Sequence, residues 1–334
     1  MKDVAVHAKV SVSTVSYVMN GTGPVSDDRR ARILNAVREL DYIPNEFARN
    51  LKRQSASTIG LVIPDLSNQF FSLLASGAAH AAAARDVLVV LCSSESTEEV
   101  ESSNARLLRS QRVDGVVYLT GFDESPTSLL RLQSLGPVVL VDERVPGADF
   151  PTILADGRRG AREIASHVVA LGHERFGCIA GPTALWTAEQ RLAGYREALA
   201  LGGLNPDGMD VLIGDYRMDS GFKLARQLLD VATQRRPTAL LCANDMMAIG
   251  ALEYCRTSGI NVPGDVSVVG FDDVPMAPLL SPGLTTVRQP AREMGIRAAE
   301  LLLDLIRGDV NQTRPNSFPV EVIVRESTSP PRSS

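Results

Sequence analysis

The stretch VSVSTVSYVMNG, residues 10–21, contains four serines and threonines and one tyrosine but no charged side chain. Ser11 is suited to cap a helix, and Gly21 is suited to follow its last residue. A helix here would bury an apolar stripe and expose a polar one, because residues three and four positions apart share a face. The apolar stripe comprises Val15, Val18 and Met19, and the polar stripe comprises Ser13, Ser16, Tyr17 and Asn20.

The polar stripe fits two kinds of structure. An uncharged surface of small hydroxyl groups can enter the major groove of DNA, where Val12 can contact a thymine methyl group. With a short helix before it, over residues 2–8, the stretch would form a helix-turn-helix. The alternative is the solvated face of a small helical bundle, since many helices carry a polar face. The pattern by itself leaves both open.

Charge is distributed unevenly along the chain, whose net charge is −5. Residues 1–57 contain nine Lys and Arg and six Asp and Glu, a net charge of +3, which leaves −8 for the remainder. A cationic head on an anionic body is typical of a DNA-binding module attached to another domain. Within this head a third helix is expected over SDDRRARILNAVREL, with Ser26 as its N-cap.

The composition is that of a globular protein. The 334 residues suggest two or three domains, and 44% hydrophobic residues suffice for a sizeable core. No apolar run approaches the roughly 20 residues of a membrane span, and the charged N-terminus does not fit a signal peptide, so we expect a cytoplasmic protein. The scattered cysteines are expected to be buried reduced thiols rather than a metal or redox site; they are Cys92, Cys178, Cys242 and Cys255.

From about residue 58 short apolar runs such as TIGLVIP and DVLVVLC alternate with amphipathic helical stretches. Continuous apolar strands between helices are typical of parallel sheets covered on both faces. Some ten or eleven strands over about 270 residues are too many for one compact sheet of this type. We therefore predict two α/β lobes with a cleft between them.

The sequence KDVAVHAKVSVSTVSYVMNG, residues 2–21, resembles the N-terminal signature of the lac repressor/galactose repressor (LacI) family of transcription regulators, approximately K-D-V-A-x-x-A-x-V-S-x-x-T-V-S-x-V-[LIM]-N. The likeness continues to VEVIVRESTSPP and covers nearly the whole chain. It implies an all-α helix-turn-helix head and a hinge helix, joined to a two-lobed α/β body like that of periplasmic binding proteins. The implied domains are a helix-turn-helix domain at 1–43, a hinge helix and linker at 44–57, an effector-binding and dimerisation domain at 58–328 with lobe crossings near 156, 286 and 318, and a frayed tail at 329–334.

The resemblance also implies roles on the second helix. Val12, Ser13 and Tyr17 occupy positions where the family contacts bases, and Thr14 and Ser16 occupy positions where it contacts phosphates. Tyr17 departs from the family pattern, in which arginine or histidine is commoner. Because tyrosine cannot make the bidentate contact of arginine with guanine, the operator base that faces it stays open.

The segment PNEFARNLKRQ, residues 44–54, places Ala48 and Leu51 on one face of a short helix among cationic side chains. Leu51 could simply pack against Phe47 or a lobe. The resemblance implies instead a hinge helix that enters the central minor groove as a pair in a dimer, with the two leucines wedged into one base step. A helix of about eight residues is marginal in water, so we expect it to form on operator DNA.

In the body the resemblance assigns effector contacts to residues near predicted strand ends, where open α/β sheets bind ligands. Arginine and aspartate can hold hydroxyl or carboxylate groups, and aromatic faces can pack on a sugar-like ring. Phe70 and Phe71 could instead belong to the hydrophobic core. Asp272 could have a purely structural role, in which it caps a helix or bridges the lobes. The expected effector-binding residues are Phe70, Phe71, Trp186, Thr187, Arg191, Tyr216 and Asp245.

Two other classes of protein were weighed against a regulator. An enzyme is disfavoured because the sequence contains no nucleophile elbow, no phosphate-binding glycine loop and no HExxH motif, and neither a cofactor nor a metal is expected. A two-lobed small-molecule binding protein without a DNA-dependent function is the alternative, which the cationic head and the absence of a signal peptide oppose.

We therefore expect a cytoplasmic, homodimeric, ligand-controlled repressor of transcription. It would bind a near-palindromic double-stranded operator with half-sites about one helical turn apart. A sugar is the expected effector, although nucleobases and phosphorylated metabolites use similar residues, and no membrane partner is expected.

Leu51→Ala should weaken operator binding sharply and leave effector binding intact, because the variant loses the side chain that would wedge into the base step. Operator affinity and DNA bending, measured by gel shift, are the readouts. Unchanged affinity and bending would contradict the wedge hypothesis.

Overall fold

The computed structural model describes residues 2–20, 23–40, 42, 57–94, 98–119, 133–145, 147, 149–309 and 316–332. The chain divides into two compact units, Met1–Ala56 and Ser57–Ser334. None of the helices in the described ranges combines the length and the hydropathy that crossing a membrane requires.

Three helices form the described part of the first unit: α1 (Lys2–His7), α2 (Val12–Asn20) and α3 (Asp27–Glu39). Their apolar faces share a small core of Val4, Ala5, Ala8, Val15, Val18, Ile33 and Ala36. The Ser11 hydroxyl caps α2 by accepting a hydrogen bond from the Thr14 backbone N–H at 3.1 Å. Ser26 occupies the N-cap position of α3 but its side chain makes no capping bond. The side-chain cap predicted there is therefore wrong, and the aspartates of the first turn remain to complement the helix dipole.

The second unit alternates strands and helices, as its apolar runs predict. The described strands are β1 (Thr58–Ile63), β2 (Leu88–Ser93), β3 (Gly115–Tyr118), β4 (Val138–Val141), β5 (Thr152–Ala155), β6 (Phe176–Ala180), β7 (Asp210–Ile213), β8 (Ala239–Cys242), β9 (Ser267–Val269), β10 (Thr286–Arg288), β11 (Ser317–Phe318) and β12 (Glu321–Ile323). The described helices are α4 (Gln69–Ala83), α5 (Glu98–Ser110), α6 (Gly157–Ala170), α7 (Trp186–Leu201), α8 (Met218–Leu229), α9 (Asp245–Thr257) and α10 (Ala291–Arg307).

Ten of these strands form two parallel sheets, one in each lobe. The first lobe has six strands in the order β11-β5-β4-β3-β1-β2, and the second has four in the order β7-β6-β8-β9. Strands β3, β4, β6 and β8 are buried along their whole length, which explains their continuous apolar sequences.

The chain passes between the lobes at three places. It leaves the first sheet after β5, and α6 then packs against α7 of the second lobe. It returns through β10, which is followed by α10 on the first-lobe sheet, and it leaves again between β11 and β12. Strands β10 and β12 pair antiparallel, outside both large sheets, so two crossing segments support each other.

Two helix pairs of the body pack with their backbones in close contact. In the α4–α10 pair, a Cβ added at Gly77 or at Gly295 would lie 2.0 Å from a backbone carbonyl oxygen of the other helix. In the α8–α9 pair, a Cβ added at Gly221 or at Gly250 would lie 2.2 or 2.0 Å from a backbone carbonyl oxygen of the other helix. No side chain fits at these distances, so glycine sets how closely the helices approach.

Part of the C-terminal tail departs from the sequence expectation. The Ser329 carbonyl oxygen accepts hydrogen bonds from His173 Nε2 at 2.8 Å and from the Ser267 hydroxyl at 3.1 Å. The Arg332 guanidinium lies 2.7 Å from the Asp265 carboxylate. Residues 329–332 are therefore attached to the second lobe instead of frayed, because buried polar groups there need the tail as a partner; residues 333–334 lie outside the described ranges.

The cysteines agree with the prediction of buried reduced thiols, since Cys92, Cys178, Cys242 and Cys255 are all buried and unpaired. Burial raises the pKa of Cys178 and of Cys255 to about 12. Neither thiol is therefore a reactive thiolate.

Candidate functional site

Helix α2 presents the predicted DNA-reading residues on its outer face. Val12 and Tyr17 are 43% and 49% exposed, Ser13 is exposed, and Thr14 and Ser16 are half-buried. The opposite face carries Val15 and Val18 into the core. The residues predicted to meet DNA therefore lie on the face of α2 opposite the core residues Val15 and Val18.

Two local contacts order this face. The Ser11 Oγ lies 2.8 Å from the Ser13 hydroxyl and 2.7 Å from the Thr14 hydroxyl, so the three side chains are linked. The Tyr17 ring lies against Gly23, where an added Cβ would be 2.8 Å from the ring's Cγ. Sequence reasoning missed Gly23, because only the folded unit shows that it lies against the Tyr17 ring. The predicted hinge residues Ala48 and Leu51 lie outside the described residues.

In the second unit a cavity of about 710 Å³ lies between the two lobes. Its walls include the residues just after β1, β3 and β4 in the first lobe and just after β7, β8 and β9 in the second. Both parallel sheets therefore direct their carboxyl ends at this space, as the general rule for such sheets requires. The volume suits a small organic ligand.

Arg191 of α7 forms the floor of this cavity and is only 4% exposed. Its Nη1 donates to the Ala243 carbonyl oxygen at 2.7 Å. Its guanidinium nitrogens lie 3.9 Å from Asp142 of the first lobe and 3.8 Å from Asp272 of the second. The guanidinium also stacks 4.2 Å from the centre of the Phe271 ring, so it is held from several sides.

Two buried polar atoms of cavity-lining residues lack a well-formed hydrogen bond. Arg191 Nε has no partner within the described residues, and the Tyr216 hydroxyl has only a weak interaction with the Thr187 side chain, which limits the rise of the Tyr216 pKa. The two groups are neighbours, since the Arg191 guanidinium lies 5.9 Å from the Tyr216 ring centre. Leaving a buried donor unpaired costs about 1–3 kcal/mol. A bound molecule with hydrogen-bond acceptors would remove that cost.

Phe70 and Phe71 both line the cavity and pack with the hydrophobic core, the two alternatives that the sequence left open. They line the cavity and contact each other edge to face, with ring centres 5.4 Å apart. Phe70 is 3% exposed and belongs to the hydrophobic core. Phe71 is half-buried and packs against that core. The pair is thus an apolar wall supported from behind.

Thr187 lines the cavity, whereas Trp186 does not. The Thr187 hydroxyl donates to Glu143 of the first lobe at 2.8 Å, and the Thr187 backbone N–H donates to the same carboxylate. Trp186 faces Arg144, whose guanidinium carbon lies 5.2 Å from the ring centre. The start of α7 therefore joins the lobes at the rim of the cavity, and Trp186 contributes to that contact instead of the wall.

Asp245, which the resemblance placed among the effector contacts, does not line the cavity and is completely buried. Its carboxylate accepts from the Val274 N–H at 2.8 Å and from the Thr286 hydroxyl at 2.5 Å. Thr286 lies on the crossing strand β10, so Asp245 fastens that strand to the second lobe. Both carboxylate oxygens are used inside the protein, which leaves the ligand space to the neighbouring Asn244 and Met246.

The structure adds wall residues that sequence reasoning missed. Asp142 and Glu143 follow β4 directly and line the cavity, as does Asp272, for which a bridging role was left open. Asp142, Tyr216 and Asp272 have φ of 60°, 67° and 125°, a region that side chains other than glycine rarely adopt. Such strain concentrates at functional sites. The position of Asp142 directly after an apolar strand was the available signal.

The cavity is strongly acidic. Six carboxylates line it against two guanidinium groups, those of Arg191 and Arg217. Burial raises the pKa of Asp142 to about 7 and raises the pKa of Glu143 and of Asp272 as well. Among the described residues no group of three or more His, Cys, Asp or Glu side chains is placed to hold a metal ion. The lining carboxylates are Asp65, Asp142, Glu143, Asp215, Asp219 and Asp272.

Two family models match separate parts of the chain. Residues 1–45 match the family model described as bacterial regulatory proteins, lacI family, and residues 165–328 match the model described as periplasmic binding protein-like domain. Over 328 residues the chain is 35% identical to the HTH-type transcriptional repressor CytR of Escherichia coli (strain K12), covering 98% of this chain and 96% of that protein.

Two solved structures resemble the whole chain. The lac repressor dimer bound to operator and the anti-inducer ONPF has a TM-score of 0.83 at 30% identity, with 98% of both chains covered. The complex of the transcriptional regulator CelR with cellobiose has a TM-score of 0.73 at 32% identity, also with 98% of both chains covered.

Asp142→Asn should change how stability depends on pH. Because burial raises the Asp142 pKa to about 7, the folded protein keeps a proton that the unfolded chain has released above about pH 4. The free energy of unfolding without ligand should therefore fall as the pH rises from about 4 to about 7. The variant side chain cannot ionise, so part of this fall, on the order of 1 kcal/mol, should disappear in urea titrations.

Asp210→Asn is the control, since Asp210 is exposed on β7 and does not line the cavity. Because the pKa values of Glu143 and Asp272 are also raised, the free energy of unfolding should still fall somewhat with rising pH in the Asp142→Asn variant. A profile for Asp142→Asn that runs parallel to the unmodified protein would show that Asp142 does not hold this proton.

Proposed function

The chain belongs to the LacI family of bacterial regulatory proteins, and from this premise we propose that it represses transcription as a homodimer under the control of a small uncharged effector, for which a sugar is the best candidate. It is a DNA-binding transcriptional repressor with a ligand-binding domain, as its relatives over nearly the full length are. The family consists of cytoplasmic regulators, not enzymes, in agreement with the sequence analysis.

For the DNA-binding unit, we assign base contacts to Val12, Ser13 and Tyr17 and phosphate contacts to Thr14 and Ser16. Support comes from their position on the outer face of α2, opposite Val15 and Val18. A two-fold symmetric dimer presents two such helices, so the operator should be a near-palindrome with half-sites about one turn apart. The lac repressor relative is a dimer on its operator.

Residues 44–57 are proposed as the hinge and linker, with Ala48 and Leu51 entering the minor groove. The support is the sequence, in which Ala48 and Leu51 are three positions apart and are flanked by Arg49, Lys52 and Arg53. The cations would contribute the salt-dependent attraction to phosphates, and the leucine would contribute the kink.

The observation that carries the effector proposal is the cavity at the carboxyl ends of both sheets, where Arg191 Nε has no partner and the Tyr216 hydroxyl has only a weak one, Thr187. Both atoms are closed to solvent, so a ligand oxygen would accept from them after a small adjustment of the side chains. The nearby carboxylates of Asp142 and Asp272 could accept hydrogen bonds from ligand hydroxyl groups, and Phe70 and Phe71 supply an apolar surface for a ring. This combination matches a polyhydroxylated molecule.

The charge of the cavity favours a neutral effector over a phosphorylated one. Arg191 already lies within 4 Å of two carboxylates, and Arg217, the other lining guanidinium, is exposed at the rim. Burial raises the pKa of Asp142, Glu143 and Asp272, so these three groups are not all ionised near neutral pH. The lining residues Asp65, Asp215 and Asp219 would still repel a phosphate, and no buried cation of the described wall is free to pair with it. The complex of the CelR relative with cellobiose is consistent with an uncharged sugar.

The contacts suggest how an effector changes DNA binding. Thr187 and Glu143 join the lobes at the cavity rim, and Asp245 fastens β10 to the second lobe. A ligand that favours one spacing of the lobes shifts the population of that form. We propose that Trp186 and Asp245 act in this coupling and that Phe70, Phe71, Thr187, Arg191 and Tyr216 contact the effector.

Tyr17→Ala should change the base preference at one position of each half-site by about 1–3 kcal/mol, because only a residue at a base edge discriminates between sequences. Binding to a randomised palindrome library, followed by sequencing, measures this change. Val6→Ala is the control, since Val6 is 78% exposed on α1 and faces away from the core. A uniform loss over all sequences would make Tyr17 a positioning residue.

Neutral sugars and nucleosides should be screened beside their phosphorylated forms by thermal shift. At about 100 times its Kd a true effector adds about 2.7 kcal/mol of stability, which raises Tm by several degrees. We expect a response to a neutral compound and a smaller one to its phosphate. Arg191→Lys, which keeps the charge but removes the Nε donor, should abolish the response, and a stronger response to the phosphorylated partner would refute the assignment.

A further inference from the structure

A second cavity, of about 440 Å³, lies in the second lobe and shares no lining residue with the first. It opens where α8 and α9 end, and it is called the α8–α9 cavity here. Helix α8 begins at Met218 on the first cavity, and its 12 residues span about 18 Å. The first cavity therefore meets this helix at its N-terminus, and the second lies along it from Phe222 to its C-terminal end. The lining residues are Phe222, Arg226, Leu229, Asp230, Arg236, Tyr254, Ser258 and Ile260.

Arg236 is held in place by its backbone but not by its guanidinium. Its N–H donates to the Ala232 and Thr233 carbonyl oxygens, and its own carbonyl oxygen accepts from Arg175 Nε at 3.0 Å. The side chain is half-buried and its Nε is fully buried without an acceptor. In the described part of the chain the guanidinium takes part in no hydrogen bond or ion pair. A positioned cation without a counter-charge is the expected mark of an anion site.

Tyr254 supplies a second donor. Its ring is 93% removed from solvent and is fixed edge to face against Phe222, with ring centres 5.5 Å apart at 87°. The tyrosine hydroxyl makes no hydrogen bond to any residue in the described ranges. The hydroxyl oxygen is not among the fully buried unpaired atoms of the described residues, so it is open to solvent at the cavity and can donate to a molecule bound there.

The charge of this cavity is opposite to that of the cavity between the lobes. Its wall carries two guanidinium groups and one carboxylate. Asp230 lies 3.9 Å from Arg226 in an exposed i,i+4 pair, so the one acid is directed at the outer arginine. Arg236 is left uncompensated, and the apolar side chains Leu229 and Ile260 complete the wall.

From this geometry we propose that the α8–α9 cavity binds a small oxyanion, a carboxylate or a phosphate, through the Arg236 guanidinium and the Tyr254 hydroxyl. The planar fork of arginine fits either group in bidentate fashion. Phe222, Leu229 and Ile260 would accommodate an apolar part of the same molecule. The site is independent of the effector assigned to the cleft.

Inorganic phosphate, acetate and benzoate, each titrated into the full-length protein at constant ionic strength, test this proposal. Thermal shift and isothermal calorimetry should show binding of at least one of them. Arg236→Gln should weaken that binding about tenfold or more, the scale of losing a charge-assisted hydrogen bond. Tyr254→Phe, which keeps the ring packing, should weaken it less. A response to phosphate identifies a phosphate site, and benzoate binding tighter than acetate identifies a carboxylate on an apolar group.

Arg235→Gln is the matched control, since Arg235 is the exposed neighbour of Arg236 and does not line the cavity. Arg217→Gln tests whether an anion binds in the cleft instead. Three outcomes would overturn the proposal: no anion binds, binding is unchanged in Arg236→Gln, or binding is lost only in Arg217→Gln. If Arg236→Gln separates a dimer without affecting anion binding, the cavity is a contact between copies and the proposal also fails.

Discussion

A guanidinium group with almost no exposure to water, that of Arg191, lies where the two lobes of the body meet. Its neighbours are a carbonyl oxygen and a carboxylate of its own lobe, a carboxylate of the other lobe and an aromatic face. A buried charge is tolerated only with such compensation, and the loss of one partner typically costs about 3–5 kcal/mol. The positions of Asp142 and Asp272 are therefore linked to each other through Arg191, and so are the ends of the strands that carry them.

The remaining contacts between the lobes are arranged around this charge. Glu143 accepts from Thr187, Arg144 stacks on Trp186, and the Met276 N–H donates to the Gln69 side chain at 3.1 Å. Each of these contacts joins residues of the two lobes, and the hydrogen bonds among them are partly or fully exposed. The contacts of Asp245 with Thr286 and Val274 are completely buried by comparison. The body thus combines a buried attachment of the crossing strand β10 with more exposed contacts between the lobes.

Sequence reasoning predicted the features that depend on residues close together in the chain better than those that depend on tertiary contacts. It located the helices of the head, the strands of both lobes and the wall residues Arg191 and Tyr216. It misplaced Asp245, because an aspartate at the start of a helix can point into the cleft or back to its own lobe. It missed Gly23, because only the folded head shows that this glycine lies against the Tyr17 ring, and it missed Asp142, because its partner Arg191 is distant in sequence.

The sequence by itself determined the helix-turn-helix pattern, the alternation of strands and helices and the two-lobed division, because these depend on periodicity and on short-range turn chemistry. Only the tertiary structure decided which strand-end residues face the ligand space, where the C-terminal tail attaches and that Arg236 has no counter-charge. Those features depend on the distances between elements far apart in the chain. In this body the close glycine contacts of α4 with α10 and of α8 with α9 set the distances between these helices. A local sequence pattern does not predict such distances.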